Sequence, residues 1–453
     1  MKLITLVCLT ILLGVSSQYS YSEVQFKRMQ KLEASDRATN DMFGFAVAIS
    51  ADVMAVGAPN DDDEGTNSGA VYLYQIQENS LDWVLLKKLV PNDGENQDMF
   101  GTSVDLDEDT LIVGAPGANI EGGTYVYERN RGGVDNWGQT IKISPNGNGF
   151  NRFGLSVAVS KDSLVVATFN RQAAYLYERN LGGNDSWGLS KTLEQPDDTG
   201  GETFGSIVSI YDDIVAVGEP GLGESFDGAA FIYNRNQGGS ENWGHIKTLE
   251  SDGNHPNGES RFGSAIDIDG DTIIVGAPQE FPTDITPSEY RIGTAYVFQK
   301  DQGGVGNWGK VVTLKPADRV YDDDDPHSDN DLNFGGSVSI HGDVVAVGAS
   351  LDDDVNFDSG SAYMFQRNRS GDNRWGQIRR PLASDRDRGD FFGSRVALSS
   401  NALLIGAYGV DAPGSSNSGA AYILPFNSNV ENDGLCFIIK SGIDGKKSPI
   451  CVN

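Results

Sequence analysis

The chain has 453 residues, of which 38% are hydrophobic and 22% charged, with 56 glycines; this is enough apolar content for a core and too little bias for disorder, collagen or a coiled coil. Asp plus Glu outnumber Lys plus Arg by 64 to 34, a net charge of −30. Such a field repels phosphate backbones and anionic lipid, so nucleic-acid binding is disfavoured.

Residues 1–17 combine Lys2, an apolar run over 3–15 and the small residues Val15 and Ser17, the pattern of a secretory signal peptide cut before Gln18. The run is shorter than the roughly 20 residues a spanning helix needs, and no later stretch approaches it. A secreted, extracellular protein without membrane insertion is expected. Loss of the signal removes Cys8 and leaves two cysteines, Cys436 and Cys451.

From residue 43 onward the chain repeats. A Phe-Gly pair occurs at Phe43, Phe100, Phe153, Phe204, Phe262, Phe334 and Phe392, about 58 residues apart, and fourteen residues later an apolar run ends at Gly57, Gly114, Ala167, Gly218, Gly276, Gly348 and Gly406. A third run alternates aromatics two apart, as in Tyr72 and Tyr74 or Tyr296 and Phe298, and a fourth starts at Trp83, Trp137, Trp187, Trp243, Trp308 and Trp375. Period-two alternation in short runs bounded by Gly, Asn and Asp is strand chemistry. Four strands per unit, repeated seven times, predict an all-β, seven-bladed β-propeller over residues 18–425. The fourth strand is missing after Tyr422, but residues 24–32, VQFKRMQKL, match the segments that follow each Trp. The N-terminal strand is therefore expected to close the last blade.

The first-to-second and third-to-fourth strand connections keep nearly constant spacing and share one face of the ring. The other connections vary, and irregular loops on a rigid scaffold are where binding concentrates. That variable face is acidic: Asp61, Asp62, Asp63 and Glu64, then Asp322, Asp323, Asp324 and Asp325, then Asp352, Asp353 and Asp354. No cofactor is required, yet Asp61, Asp63, Asp352 and Asp354 have the oxygen chemistry for calcium. A solvated acidic rim is the simpler alternative.

Asn184 and Asn368 open glycosylation sequons. Arg388-Gly389-Asp390 spells an adhesion tripeptide, but Asp390 stands two residues before its Phe, as do Asp41 and Asp98, so the repeat template accounts for it. His245, His255, His327 and His341 show no metal-ligand spacing, and nothing resembles a nucleophile elbow. A non-enzymatic protein is expected.

The tail, residues 426–453, contains two short apolar runs around Asp444-Gly445, bracketed by Cys436 and Cys451. A disulfide-closed hairpin is the simplest arrangement. Lys440, Lys446 and Lys447 make it basic against an acidic remainder, so it has the charge to dock on an acidic propeller, its own or a neighbour's.

The segments FGFAVAISADVMAVGAP from Phe43 and FGSAIDIDGDTIIVGAP from Phe262 resemble the FG-GAP repeat of integrin α-subunit propellers. The fuller unit, with NRNQGGSENWGHIKTLE from Asn234, is similar to secreted FG-GAP proteins of microbes and protists. The resemblance implies a propeller, and with it an extracellular adhesion or binding module that meets a protein or glycan ligand. A self-associating structural subunit and a lectin are the alternatives. The calcium loops of integrin-like propellers do not carry over to Asp105–Asp109 or Asp267–Asp271, because the 14-residue spacing leaves only a tight turn there and alternating carboxylates splay along a strand.

Overall fold

A computed structural model describes residues 24–77, 82–145, 152–169, 173–183, 186–196, 203–221, 227–252, 260–280, 292–317, 331–354, 356–369, 374–427, 436–440 and 447–451. Every regular element among them is a strand, and no helix is long and apolar enough to cross a membrane.

The first blade shows how one repeat folds. Its strands A to D are Ala46–Ser50, Val53–Ala58, Ala70–Ile76 and Trp83–Leu89, paired antiparallel in that order. Strand B is buried at every position, because it is covered on both faces; strand D is buried only at its ends, Trp83 and Leu89, and is exposed or half-buried between them. Five further sheets repeat the order. The seventh contains Arg395–Leu398, Ala402–Ala407 and Ala420–Asn427, and its fourth place is taken by Gln30–Leu32 and the short strand Gln25–Phe26. Between these two pieces the Lys27 N–H donates to the Pro425 carbonyl. The N-terminal strand thus completes the last blade, as the repeat count requires.

The Phe-Gly pair is where one blade meets the next. All seven of its phenylalanines are fully buried. Phe43 packs edge-on against Tyr72 at 5.3 Å, and Phe262 against Tyr296 at the same distance, a favoured aromatic geometry. Gly44 has φ +93°, and a Cβ there would lie 2.2 Å from the carbonyl oxygen of Ala420 in the preceding blade. Only glycine satisfies both the left-handed backbone and that approach. A parallel bridge between Phe43 and Gly419 joins the seventh blade to the first, so the ring is closed. Residues Phe26–Asn427 form this unit. In the other unit, Cys436–Lys440 pairs antiparallel with Lys447–Cys451, and Cys436 stands opposite Cys451.

Candidate functional site

The face of constant spacing is held by a repeated arginine clamp that sequence reading did not single out. Arg235, at the start of a C–D loop, reaches Asp213 in its own A–B turn at 2.7 Å, and Glu178 at 3.0 Å and the Ser163 hydroxyl at 2.8 Å in the preceding blade. Its guanidinium also covers Trp243 at 4.6 Å. Arg129 bridges Asp52 and Asp135, while Arg179 bridges Glu128 and Asp162 and covers Trp187. The fork of arginine suits such multiple pairing better than lysine would. This face is engaged with itself.

On the opposite face the acidic runs divide into two kinds of residue. Asp61 and Asp352 are buried, not solvated. Asp61 accepts from Tyr72 at 2.8 Å, and its backbone carbonyl accepts the Gly69 N–H at 3.0 Å. Asp352 takes the same position, accepting from Tyr363 at 3.2 Å and from the Gly360 N–H at 2.9 Å. Asp62 caps the Asn67 N–H, and Asp353 caps that of Asp358. These residues build two copies of one loop. Asp62, Asp63, Glu64 and Asp354 remain exposed.

The residues singled out for calcium already face side-chain cations. Asp36, Asp61 and Asp63 bring carboxylate oxygens within 4.8 Å of one another, and Lys88 Nζ sits 2.8, 2.8 and 2.6 Å from the three. Partial burial alone would lower the Lys88 pKa, but hydrogen bonds to these carboxylates win and hold it above the usual lysine value. Arg380 bridges Asp352, at 2.6 Å, and Asp354 in the same way. A metal would have to displace an ammonium or a guanidinium at either place.

The third feature is the axial channel, a cavity of about 650 Å³ lined by strand A of all seven blades. These strands are Ala46–Ser50, Ser103–Asp107, Val157–Ser160, Ile207–Tyr211, Ala265–Asp269, Phe334–His341 and Arg395–Leu398. Being edge strands, they present N–H groups that need partners. Side chains of the preceding blade supply them: Asp105 accepts the Val159 N–H at 2.7 Å, Asp107 that of Lys161 at 2.6 Å and Asp267 that of Ile340 at 2.8 Å. Ser337 and Ser339 accept from Val396 and Leu398, each at 3.0 Å. The carboxylates of Asp105, Asp107 and Asp267 therefore serve blade joining. Burial raises the Asp105 pKa to about 7 and that of Asp267 to about 6, against the opposing effect of those N–H donors.

Asp390 of the Arg-Gly-Asp sequence is buried and accepts the Asp387 N–H at 2.7 Å; Asp98 accepts the Glu95 N–H at 3.0 Å, and Asp41 that of Ala38. The template reading of this aspartate agrees with that geometry. Asn368 is half-buried with φ +62°. Asn184, Asp322, Asp323, Asp324, Asp325 and Lys446 lie outside the described residues, as do the side chains of Cys436, Lys440, Lys447 and Cys451.

Comparison with protein families matches the FG-GAP repeat over residues 26–74, 83–127, 249–298, 308–365 and 375–424, more than half of the chain. No curated protein matches it.

Proposed function

The chain belongs to the FG-GAP repeat family, and from that premise we propose that it is a secreted, non-enzymatic binding and adhesion module whose contact surface is the variable loop face. FG-GAP repeats occur in extracellular proteins, and the apolar leader supports export. The observation that carries the choice of face is the asymmetry of the ring. One face is tied up by Arg129, Arg179 and Arg235 in a repeated clamp, whereas the other leaves Asp62, Asp63, Glu64 and Asp354 exposed on rigidly built loops. Its ligand is a protein or glycan that brings cationic or donor groups to an acidic surface.

Binding of the purified protein to surfaces of the cells that secrete it tests this. Neutralising Asp62, Asp63 and Glu64 together should abolish binding, while replacing the exposed Val134 and Val305 on the clamped face should not. Equal loss from both changes would overturn the reading.

A second reading, a structural subunit that self-associates through its basic tail, is favoured by the placement of Cys436 opposite Cys451, which suits a disulfide-closed docking hairpin. Size-exclusion chromatography with and without residues 426–453 decides it; a monomer in both cases removes the reading.

A further inference from the structure

We propose that the mouth of the axial channel on the loop face is a binding site for a small monocarboxylate with a flat apolar face, held by Arg395 and Tyr408 against Phe45 and Phe391.

Three departures from the repeat template converge there. Arg395 occupies the third position after Phe392, where the other blades have Ala46, Ser103, Ser156, Ile207, Ala265 and Ser337, none of them charged. Tyr408 stands where Gly-Ala-Pro places Pro59, Pro116 or Pro278, and Phe391 stands where blades 1 and 2 have Met42 and Met99. The repeat does not need these residues: the six other blades close without them.

The guanidinium is distinguished by what it lacks. The clamping arginines each meet a carboxylate, but among the described residues Arg395 makes one hydrogen bond, from Nη1 to the Ser394 carbonyl at 2.8 Å. No carboxylate lies within ion-pair distance of it among the described residues, although the chain carries −30. It lies over Phe45 at 5.6 Å, exposed to solvent, next to Val396, which lines the channel. Phe45 packs on Tyr408 at 5.6 Å, and Tyr408 stacks on Phe391 at 5.0 Å with 17° between the rings. The Tyr408 hydroxyl has no protein partner among the described residues. Partial desolvation lowers the Arg395 pKa, with Tyr408 opposing, and the guanidinium keeps its charge.

A guanidinium without a carboxylate partner and a hydroxyl without a protein partner among the described residues, beside three aromatic rings, match a carboxylate attached to a ring or a sugar face. The acidic surroundings favour a single carboxylate over a polyanion. This site is independent of the adhesion reading, because it uses none of the exposed loop carboxylates.

Calorimetry on the full chain with phenylacetate and galacturonate, against 2-phenylethanol and galactose, tests it. At least one acid should bind, and its neutral counterpart at least about tenfold more weakly. The two acids separate an aromatic from a sugar ligand. Arg395→Met should cost at least about tenfold and Tyr408→Phe a few-fold, with melting temperatures close to that of the parent. Absence of binding by both acids, equal binding of acid and neutral partner, or full affinity in Arg395→Met would overturn the proposal. Should Arg395→Met fail to fold, undiminished affinity in Tyr408→Phe together with a missing acid preference would do so.

Discussion

A carboxylate oxygen of Asp267 accepts the main-chain N–H of Ile340, one blade further on, at 2.8 Å. The same carboxylate accepts from the Ser339 hydroxyl at 3.1 Å. An edge strand at the axis is thus finished by its neighbour's side chain, and the seven blades depend on one another through these contacts as well as through the Phe-Gly wedges.

Asp267→Ala should therefore destabilise the ring by about 1–3 kcal/mol, the cost of leaving a buried donor unpaired. Asp267→Asn keeps an acceptor and removes a buried charge, so it should be near neutral at pH 8. Denaturant unfolding of the two variants checks the contrast. An alanine variant as stable as the parent would remove the blade-joining role.

Stability should rise as pH falls from 8 towards 5. Burial raises the pKa of Asp105 and Glu219 to about 7, and that of Asp41, Asp267 and Asp390 to about 6. A raised folded-state pKa gives stability that is complete below the unfolded value and lost as pH climbs through the folded one. Below about pH 4 the trend reverses, because Asp36, Asp93 and Asp385 have pKa values below normal: burial raises each, and hydrogen bonds with Lys88, Lys142 and Lys31 overcome it. Melting temperature against pH should peak near pH 5. A monotonic rise from pH 5 to 8 is the opposite result.

Lys88 should make the first blade indifferent to calcium. Millimolar calcium or a chelator should leave the parent's melting temperature unchanged. Lys88→Ala leaves three carboxylates facing one another and should cost about 2–4 kcal/mol. Calcium should then restore part of the loss, since the vacated position has only oxygen ligands. Strong calcium stabilisation of the parent would show that metal displaces the ammonium.

Arg235→Lys should cost about 1–2 kcal/mol, although charge is kept. Lysine cannot span Asp213, Glu178 and Ser163 at once, nor cover Trp243 as a plane. Thermal unfolding measures this. A lysine variant equal to the parent would reduce the clamp to a simple surface charge.

The repeat made most of the fold legible. Fixed spacing from each Phe to the small residue, glycine or Ala167, that ends its second run, the paired aromatics and the lone Trp set four strands per blade, and the missing fourth strand after Tyr422 pointed to residues 24–32. The template also explained Asp390 through Asp41 and Asp98. The acidic runs were less legible, because a charge run looks the same whether it is solvated or paired. Asp61 finds Lys88 only after two further strands have been laid down, and no local pattern announces that meeting. Arg395 passed unremarked in the sequence, and only the ring shows that it meets no carboxylate among the described residues.

The ring is closed by its own N-terminal strand, where Leu32 pairs with Ala421 and Gln30 with Ile423. Thermal unfolding of a chain lacking residues 24–32, beside the intact chain, tests that most directly. The closed ring predicts a clearly lower melting temperature for the shortened chain, with recovery when a peptide of residues 24–32 is added in excess. Identical melting of the two chains would contradict it.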